Sequence, residues 1–121
     1  FSVLHHIPGQ NKRLQILNDI YNILKPGGRC VISVWQFLET PRLRRKIVAW
    51  ERVGLTKQSV EHNDYLIDWK RGDYGIRYVH HFSPISLINL CEIAGFQVDK
   101  SFCSDGKNDN LGLYLILRRQ K

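Results

Sequence analysis

No apolar run in this sequence approaches the roughly 20 residues needed to cross a bilayer, so a membrane-spanning helix is not expected. A secretory leader is not expected either: Phe1 to Pro8 is apolar but has no basic start and no small-residue cleavage site. Cysteine is scarce. Cys30, Cys91 and Cys103 are odd in number, widely spaced and without a CxxC pair, which argues against a disulfide framework and against a zinc site. No metal and a reducing, cytoplasmic setting are therefore expected, with Cys30 and Cys91 as small core residues. The first residue is Phe, not Met, which points to a natural start upstream or to a fragment. Acidic residues are also few and scattered, 11 against 18 Lys and Arg, giving a net charge of +7. Such an excess draws polyanions. It is concentrated at Arg42, Arg44, Arg45 and Lys46, a cluster that reads equally well as a solvated helix face.

What is present is a globular composition, 43% hydrophobic and 24% charged over 121 residues, enough for one core and too little for two ordinary domains. Phe1 to Leu4 reads as the end of a buried strand, and His5 to Gly9 as a turn. From Asn11 to Leu24 apolar residues recur at helical spacing until Lys25-Pro26-Gly27-Gly28 stops them. Arg29 to Trp35 is rich in β-branched residues with little alternation, as in a strand buried on both faces of a parallel sheet. Together these segments predict a right-handed βαβ crossover.

Thr40-Pro41 predicts the start of another helix, with Leu43, Ile47, Val48 and Trp50 on its apolar side and Thr40 as its cap. Residues Thr56 to Asn63 are polar and read as loop. Tyr65 to Trp69 and Ile76 to Phe82 are expected to pair as a hairpin across Arg71 to Gly75. Ser83-Pro84 opens a helix that Gly95 closes, and Phe96–Cys103 and Leu111–Arg118 read as antiparallel neighbours joined by the polar loop Ser104 to Asn110. The chain has no internal repeat and no low-complexity segment.

The run Ser2-Val3-Leu4-His5-His6-Ile7-Pro8, then a helix, then Leu24-Lys25-Pro26-Gly27-Gly28-Arg29-Cys30-Val31-Ile32-Ser33 resembles the second half of class I S-adenosylmethionine (SAM) methyltransferases. That family carries an "xVLHHI" segment after its fourth strand and an "LKPGG" turn into its fifth. The resemblance covers nearly the whole chain. It implies an α/β fold, the C-terminal part of a Rossmann-like sheet, mostly parallel with an antiparallel final strand. Within it, residues 1–121 form a partial domain and 38–82 a substrate-side insertion.

A narrower resemblance joins Val34-Trp35-Gln36-Phe37 and Arg77-Tyr78-Val79-His80-His81-Phe82 to the "VWAxEQ" and "RYYHVF" segments of tRNA wobble-uridine carboxymethyl methyltransferases. Val79 departs from a second Tyr there. Asp105 with Asn110 is similar to that group's Asp-to-"GNW" ending, except that Leu111 stands in place of Trp.

SAM is the cofactor that the resemblance implies, with backbone around Ser2, Val3 and Leu4 beside its methionine part. The family's glycine-rich cofactor loop and ribose-binding acid are missing here, because Pro26-Gly27-Gly28 follows a helix and not a strand. The isolated chain is therefore expected to bind SAM very weakly and to be inactive.

Ligands of open α/β sheets sit outside the carboxyl ends of the strands, which should bring Ser2 to His6 and Trp35-Gln36 face to face across a cleft. Methyl transfer mainly needs nucleophile and methyl in line, and an uncharged acceptor needs a base, for which histidine is the usual choice near neutral pH. His5 and His6 are thus the catalytic candidates, although one of them reads as a structural residue of the turn. Trp35 stacks on the acceptor or packs in the core. The narrower resemblance implies that Arg77 contacts a carboxylate or phosphate, with Tyr78 and His80 in support. Arg42, Arg44, Arg45, Lys46, Arg52, Lys70 and Arg71 are the candidates for tRNA phosphate. Beside a tRNA methyltransferase stand two alternatives: a small-molecule methyltransferase, and a noncatalytic basic RNA-binding module or subunit that works with a partner chain supplying the missing half.

Overall fold

The computed structural model of the chain describes residues 1–71 and 73–120, with side chains for all of these except 69–71, 73 and 74. A short 3₁₀ turn at Leu4–His6 leads into helix α1, Gln10–Ile23, and then strand β1, Arg29–Trp35. After β1 come a one-turn helix α2, Pro41–Arg44, strand β2, Ile47–Val48, and the hairpin β3, Asp64–Arg71, with β4, Asp73–His80. Helix α3, Pro84–Ile93, and strands β5, Phe96–Ser104, and β6, Gly112–Arg119, complete the fold.

Among the described residues there are two three-stranded sheets, ordered β1-β6-β5 and β2-β3-β4. Every pairing in them is antiparallel. The mostly parallel sheet expected from the sequence is therefore corrected. The reason is where the last strand goes: β6 enters between β1 and β5, and separates two strands that run the same way. Parallel pairing survives at one place. Phe1 N donates to Val31 O at 3.2 Å and Ser33 N donates to Phe1 O at 2.8 Å. One residue bonding to the two neighbours of its partner is the parallel pattern, so Phe1 lies parallel to β1 on the edge opposite β6.

Helices α1 and α3 pack on one face of the first sheet. Leu17 of α1, Leu87, Leu90 and Cys91 of α3, Ile32 and Val34 of β1, and Leu113, Leu115 and Leu117 of β6 form a continuous core with Leu4, Phe82, Ala94 and Phe96. Period-two burial along β6 follows from the single covered face, with Leu113, Leu115 and Leu117 buried and Tyr114, Ile116 and Arg118 between them less so. Ser83 caps α3 as expected, its Oγ accepting from Ser86 N at 3.1 Å. Gly95 ends that helix with φ of 103°, and a Cβ there would stand 3.3 Å from the Tyr21 ring. Gly28 is needed for a different reason: a Cβ would meet Lys25 O at 2.8 Å in the turn before β1.

The segment expected to be an insertion, 38–82, contains the whole second sheet, which has its own small core of Phe37, Leu43, Ile67 and Val79. The expected hairpin forms, with Tyr65 opposite Val79 and Asp68 opposite Ile76; residue 72 lies outside the described residues. The helix expected after Thr40 is corrected. It lasts one turn, because Ile47 and Val48 pair with Ile67 and Leu66 as strand β2 instead. Two β-branched residues gain a sheet and a core there, which outweighs their weak helix preference. Thr40 is not a side-chain cap either; its hydroxyl donates to Gln36 O at 3.3 Å. Among the described residues no helix is long and apolar enough to cross a membrane, and no cluster of three or more potential metal ligands exists.

Candidate active site

Three aromatic rings meet where the opening turn reaches the end of β1. The Phe1 bonds hold the chain start beside β1, and Val3 O closes the 3₁₀ turn by accepting from His6 N at 2.9 Å. Leu4 is thereby driven into the main core, while Ser2 and Val3 stay exposed. The His5 and His6 ring centroids lie 4.1 Å apart, and those of His5 and His6 stand 5.0 and 4.9 Å from Trp35. The turn and the tryptophan-bearing strand end are side by side, as the crossover required.

The two histidines differ sharply in surroundings. His5 is fully buried, and neither ring nitrogen has a hydrogen-bond partner. Burial pushes its pKa down to about 3, helped by the neighbouring His6 and by the Arg77 charge. His6 is half-buried, and its Nδ1 lies 3.1 Å from Tyr78 O. Burial lowers its pKa too, the Tyr78 carbonyl opposes that, and Arg77 lowers it further. Both rings are neutral near pH 7.

Strand β4 divides the three residues that the sequence grouped as one substrate contact. Side chains alternate along a strand, so Arg77 and Val79 share one face and Tyr78 and His80 the other. Arg77 is exposed, and its charge acts on both histidines. Tyr78 and His80 turn instead toward helix α1 and form a polar network. Asp64 Oδ1 accepts from the Tyr78 hydroxyl at 2.5 Å and from His80 Nδ1 at 2.7 Å. Burial outweighs that carboxylate and keeps the His80 pKa below its ordinary value, and burial likewise raises the Tyr78 hydroxyl. The structure thus brings His5, His6 and Trp35 together, with Arg77 near enough for its charge to act on both histidines, and puts the Tyr78 and His80 side chains on the other face of β4.

The centre of that network was missed in the sequence. Arg13 is 1% exposed, and its guanidinium donates to Ile7 O at 2.7 Å, to the Tyr78 hydroxyl at 3.2 Å and to Glu61 Oε2 at 3.0 Å. It also lies over the Phe82 ring, 5.7 Å from the centroid. One side chain therefore ties the histidine turn, the hairpin and the 56–63 loop to α1. A signal existed: Arg13 precedes Leu17 by four residues on the buried face of α1, where a charge needs partners. Gln36, placed by the sequence beside Trp35 at the cleft but given no role there, joins elements of the core. It is buried, and its Nε2 donates to Phe82 O at 2.7 Å, joining the end of β1 to the start of α3.

The basic cluster does not act as one surface. Arg44 donates to Leu38 O, while Arg42 and Arg45 line a cleft of about 470 Å³ with Lys107, Asn108 and Asn110 from the β5–β6 loop. The sequence did not connect Lys107 with this cluster. Lys46 and Arg52 sit elsewhere on the 38–82 segment, and the side chains of Lys70 and Arg71 lie outside those described. Asp105, singled out with Asn110, accepts from the Tyr114 hydroxyl, and Asn110 Nδ2 donates to Glu39 O at 3.3 Å.

Gly27 and Gly28 bond at the far end of β1, where Gly27 N donates to Arg119 O and Arg119 N to Gly28 O at 2.9 and 2.8 Å. Gly28 is seven residue steps from Trp35, about 23 Å along an extended strand. The two glycines do not face the aromatic cluster. Among the described residues the histidine turn and the end of β1 therefore have no glycine-rich loop beside them.

A methyltransferase-named protein of Encephalitozoon cuniculi is 28% identical to this chain over 97 residues, 80% of this chain and 42% of that protein. A SAM-dependent methyltransferase structure from Methanosarcina mazei matches 99% of this chain and 57% of its own length, with a TM-score of 0.68 at 20% identity. The 1,6-didemethyltoxoflavin-N1-methyltransferase of Burkholderia thailandensis, solved with 1,6-didemethyltoxoflavin and S-adenosylhomocysteine, matches 98% of this chain and 40% of its own, with a TM-score of 0.59 at 20% identity. The fold is the class I methyltransferase fold. The chain spans about half the length of these proteins, 40% to 57%, so the match concerns that part. No family model matches the chain.

Proposed function

We propose that this chain is the acceptor-side part of a SAM-dependent methyltransferase. The observation that carries the reading is the packing of the His5-His6 turn on Trp35 at the carboxyl end of β1, where an α/β sheet binds its ligands, within a fold that matches SAM-dependent methyltransferases. Bound SAM supplies a methyl group already activated on sulfonium. The protein's share is to place the acceptor, shut out water and handle its proton, and positioning alone is worth roughly 7–11 kcal/mol. Ser2 and Val3 border the cofactor in this reading, Trp35 walls the acceptor, and Arg77 offers it a positive charge.

The cradle for most of the cofactor is not among these residues, so residues 1–121 alone bind SAM weakly and turn nothing over. Calorimetry showing micromolar SAM binding to the 121-residue chain would refute that. The polypeptide extended upstream of Phe1 into a glycine-rich βαβ unit is the species to assay, with labelled SAM against bulk tRNA and against small acceptors. Label in none of them sinks the methyltransferase reading. For the acceptor class we carry tRNA forward, in a reducing, cytoplasmic setting, supported by the net charge of +7 and the Arg42–Arg45–Lys107 cleft. Transfer to small acceptors with none to tRNA removes it.

A further inference from the structure

We infer that His6 presents a bare Nε2 to the acceptor and that the acceptor atom is an N–H or O–H group, not a carboxylate. The inference rests on the methyltransferase reading and narrows it. A carbonyl oxygen only accepts hydrogen bonds, so the His6 nitrogen 3.1 Å from Tyr78 O is the one that carries the hydrogen. In the neutral ring the lone pair then belongs to Nε2. The ring is held in that setting on two further sides, by His5 at 4.1 Å and edge-on by Trp35 at 4.9 Å. The Tyr78 carbonyl is itself fixed, because β4 pairs with β3 at Leu66 and Arg13 holds the Tyr78 hydroxyl.

His5 does not compete for this role. It is fully buried with both nitrogens unpartnered, so it fills space behind His6 and holds the turn. A ring locked as an acceptor suits a partner with a proton to give. The acceptor's X–H bond breaks, its electron pair stays on X as the nucleophile, and the proton goes to Nε2 to make an imidazolium. The Arg77 charge makes that imidazolium less stable and the developing anion on X more so, which keeps the base weak and transient. A carboxylate has already lost its proton and would set its own lone pairs against the one on Nε2. Esterification of a carboxymethyl group, the chemistry implied by the narrower resemblance, is therefore disfavoured at this site.

The tautomer is read directly. Long-range proton–nitrogen correlation spectra of the 121-residue chain at pH 7, with His6 assigned by the signal missing in His6→Gln, are expected to show a protonated Nδ1 and a bare Nε2. Titration with phenol and with uracil should move the Nε2 resonance, and acetate should not. A protonated Nε2, or a response to acetate alone, overturns the inference. The methyltransferase reading is judged separately, by label from SAM in the extended polypeptide. Carboxylate methylation there that survives His6→Gln removes the inference and keeps that reading. The expected spectra with no label in any acceptor keep the tautomer and remove the reading.

Discussion

Replacing His5 by phenylalanine should remove a large and separable part of the acid sensitivity of folding. His5 is fully buried with a pKa pushed from 6.5 to about 3, so the folded chain refuses a proton that the unfolded chain accepts. The sign follows from that difference. Above pH 6.5 both states hold a neutral ring and His5 adds no pH dependence. As pH falls from 6.5 toward 3 the unfolded state binds more protons, and stability drops. Each pH unit costs about 1.4 kcal/mol, so the loss is about 3 kcal/mol at pH 4.5 and about 5 kcal/mol near pH 3. Against a typical margin of about 5–15 kcal/mol that is a large share.

His6, His80 and His81 are shifted in the same direction and act in wild type and variant alike, so the difference between the two isolates His5. Phenylalanine forfeits no hydrogen bond, since neither nitrogen of His5 has a partner. Urea unfolding from pH 7 to pH 4 should give lines for His5→Phe and wild type that diverge by about 1.4 kcal/mol per pH unit below 6.5. Parallel lines would mean that His5 reaches water, and the reasoning fails.

Arg13→Met removes the donor shared by Ile7 O, the Tyr78 hydroxyl and Glu61 and should cost about 2–4 kcal/mol in thermal or urea unfolding. Glu61→Gln keeps an oxygen that accepts from Arg13 and should cost less than Arg13→Met; equal losses would contradict the wider part given to Arg13, which also holds Ile7 O and Tyr78. In a thiol titration with a chromogenic disulfide, exposed Cys103 should react first and half-buried Cys30 slowly. Cys91, buried with its pKa pushed up to about 12, should react only on unfolding. If RNA is the partner, removing the charges of Arg42, Arg45 and Lys107 together should flatten the salt dependence of binding by about 0.7–0.9 in log–log slope per lost contact. An unchanged slope assigns that cleft no phosphate contact.

Local signals carried the elements well wherever one cause dominated. The Ser83-Pro84 start of α3, the stop after α1 and the β-branched run of β1 each formed as their residues implied. The failures share a cause, which is partners distant in sequence. Ile47 and Val48 looked like one side of a helix because nothing nearby announces that Leu66 and Ile67 are waiting for them. β1 looked doubly buried and parallel because a run of Cys, Val and Ile does not say that β6, some 80 residues later, will pair antiparallel with it. Val31 in fact remains 45% exposed.

The same distance effect separates the legible half of the candidate site from the hidden half. His5, His6 and Trp35 could be placed together because a βαβ crossover puts successive strand ends on one rim, a rule that needs no side-chain detail. The division of Arg77 from Tyr78 and His80 needed only the alternation of a strand, but the side on which each falls depends on register and on Arg13, which lies 65 residues from Tyr78. The consequence is mechanical. Arg13 bonds both the His-His turn, through Ile7 O, and β4, through Tyr78, and the carbonyl of that same Tyr78 fixes the His6 ring. A buried cation on a helix otherwise devoted to the core thus sets the distance between the two elements that orient His6. Losing it should blur the His6 tautomer even in a variant that still folds.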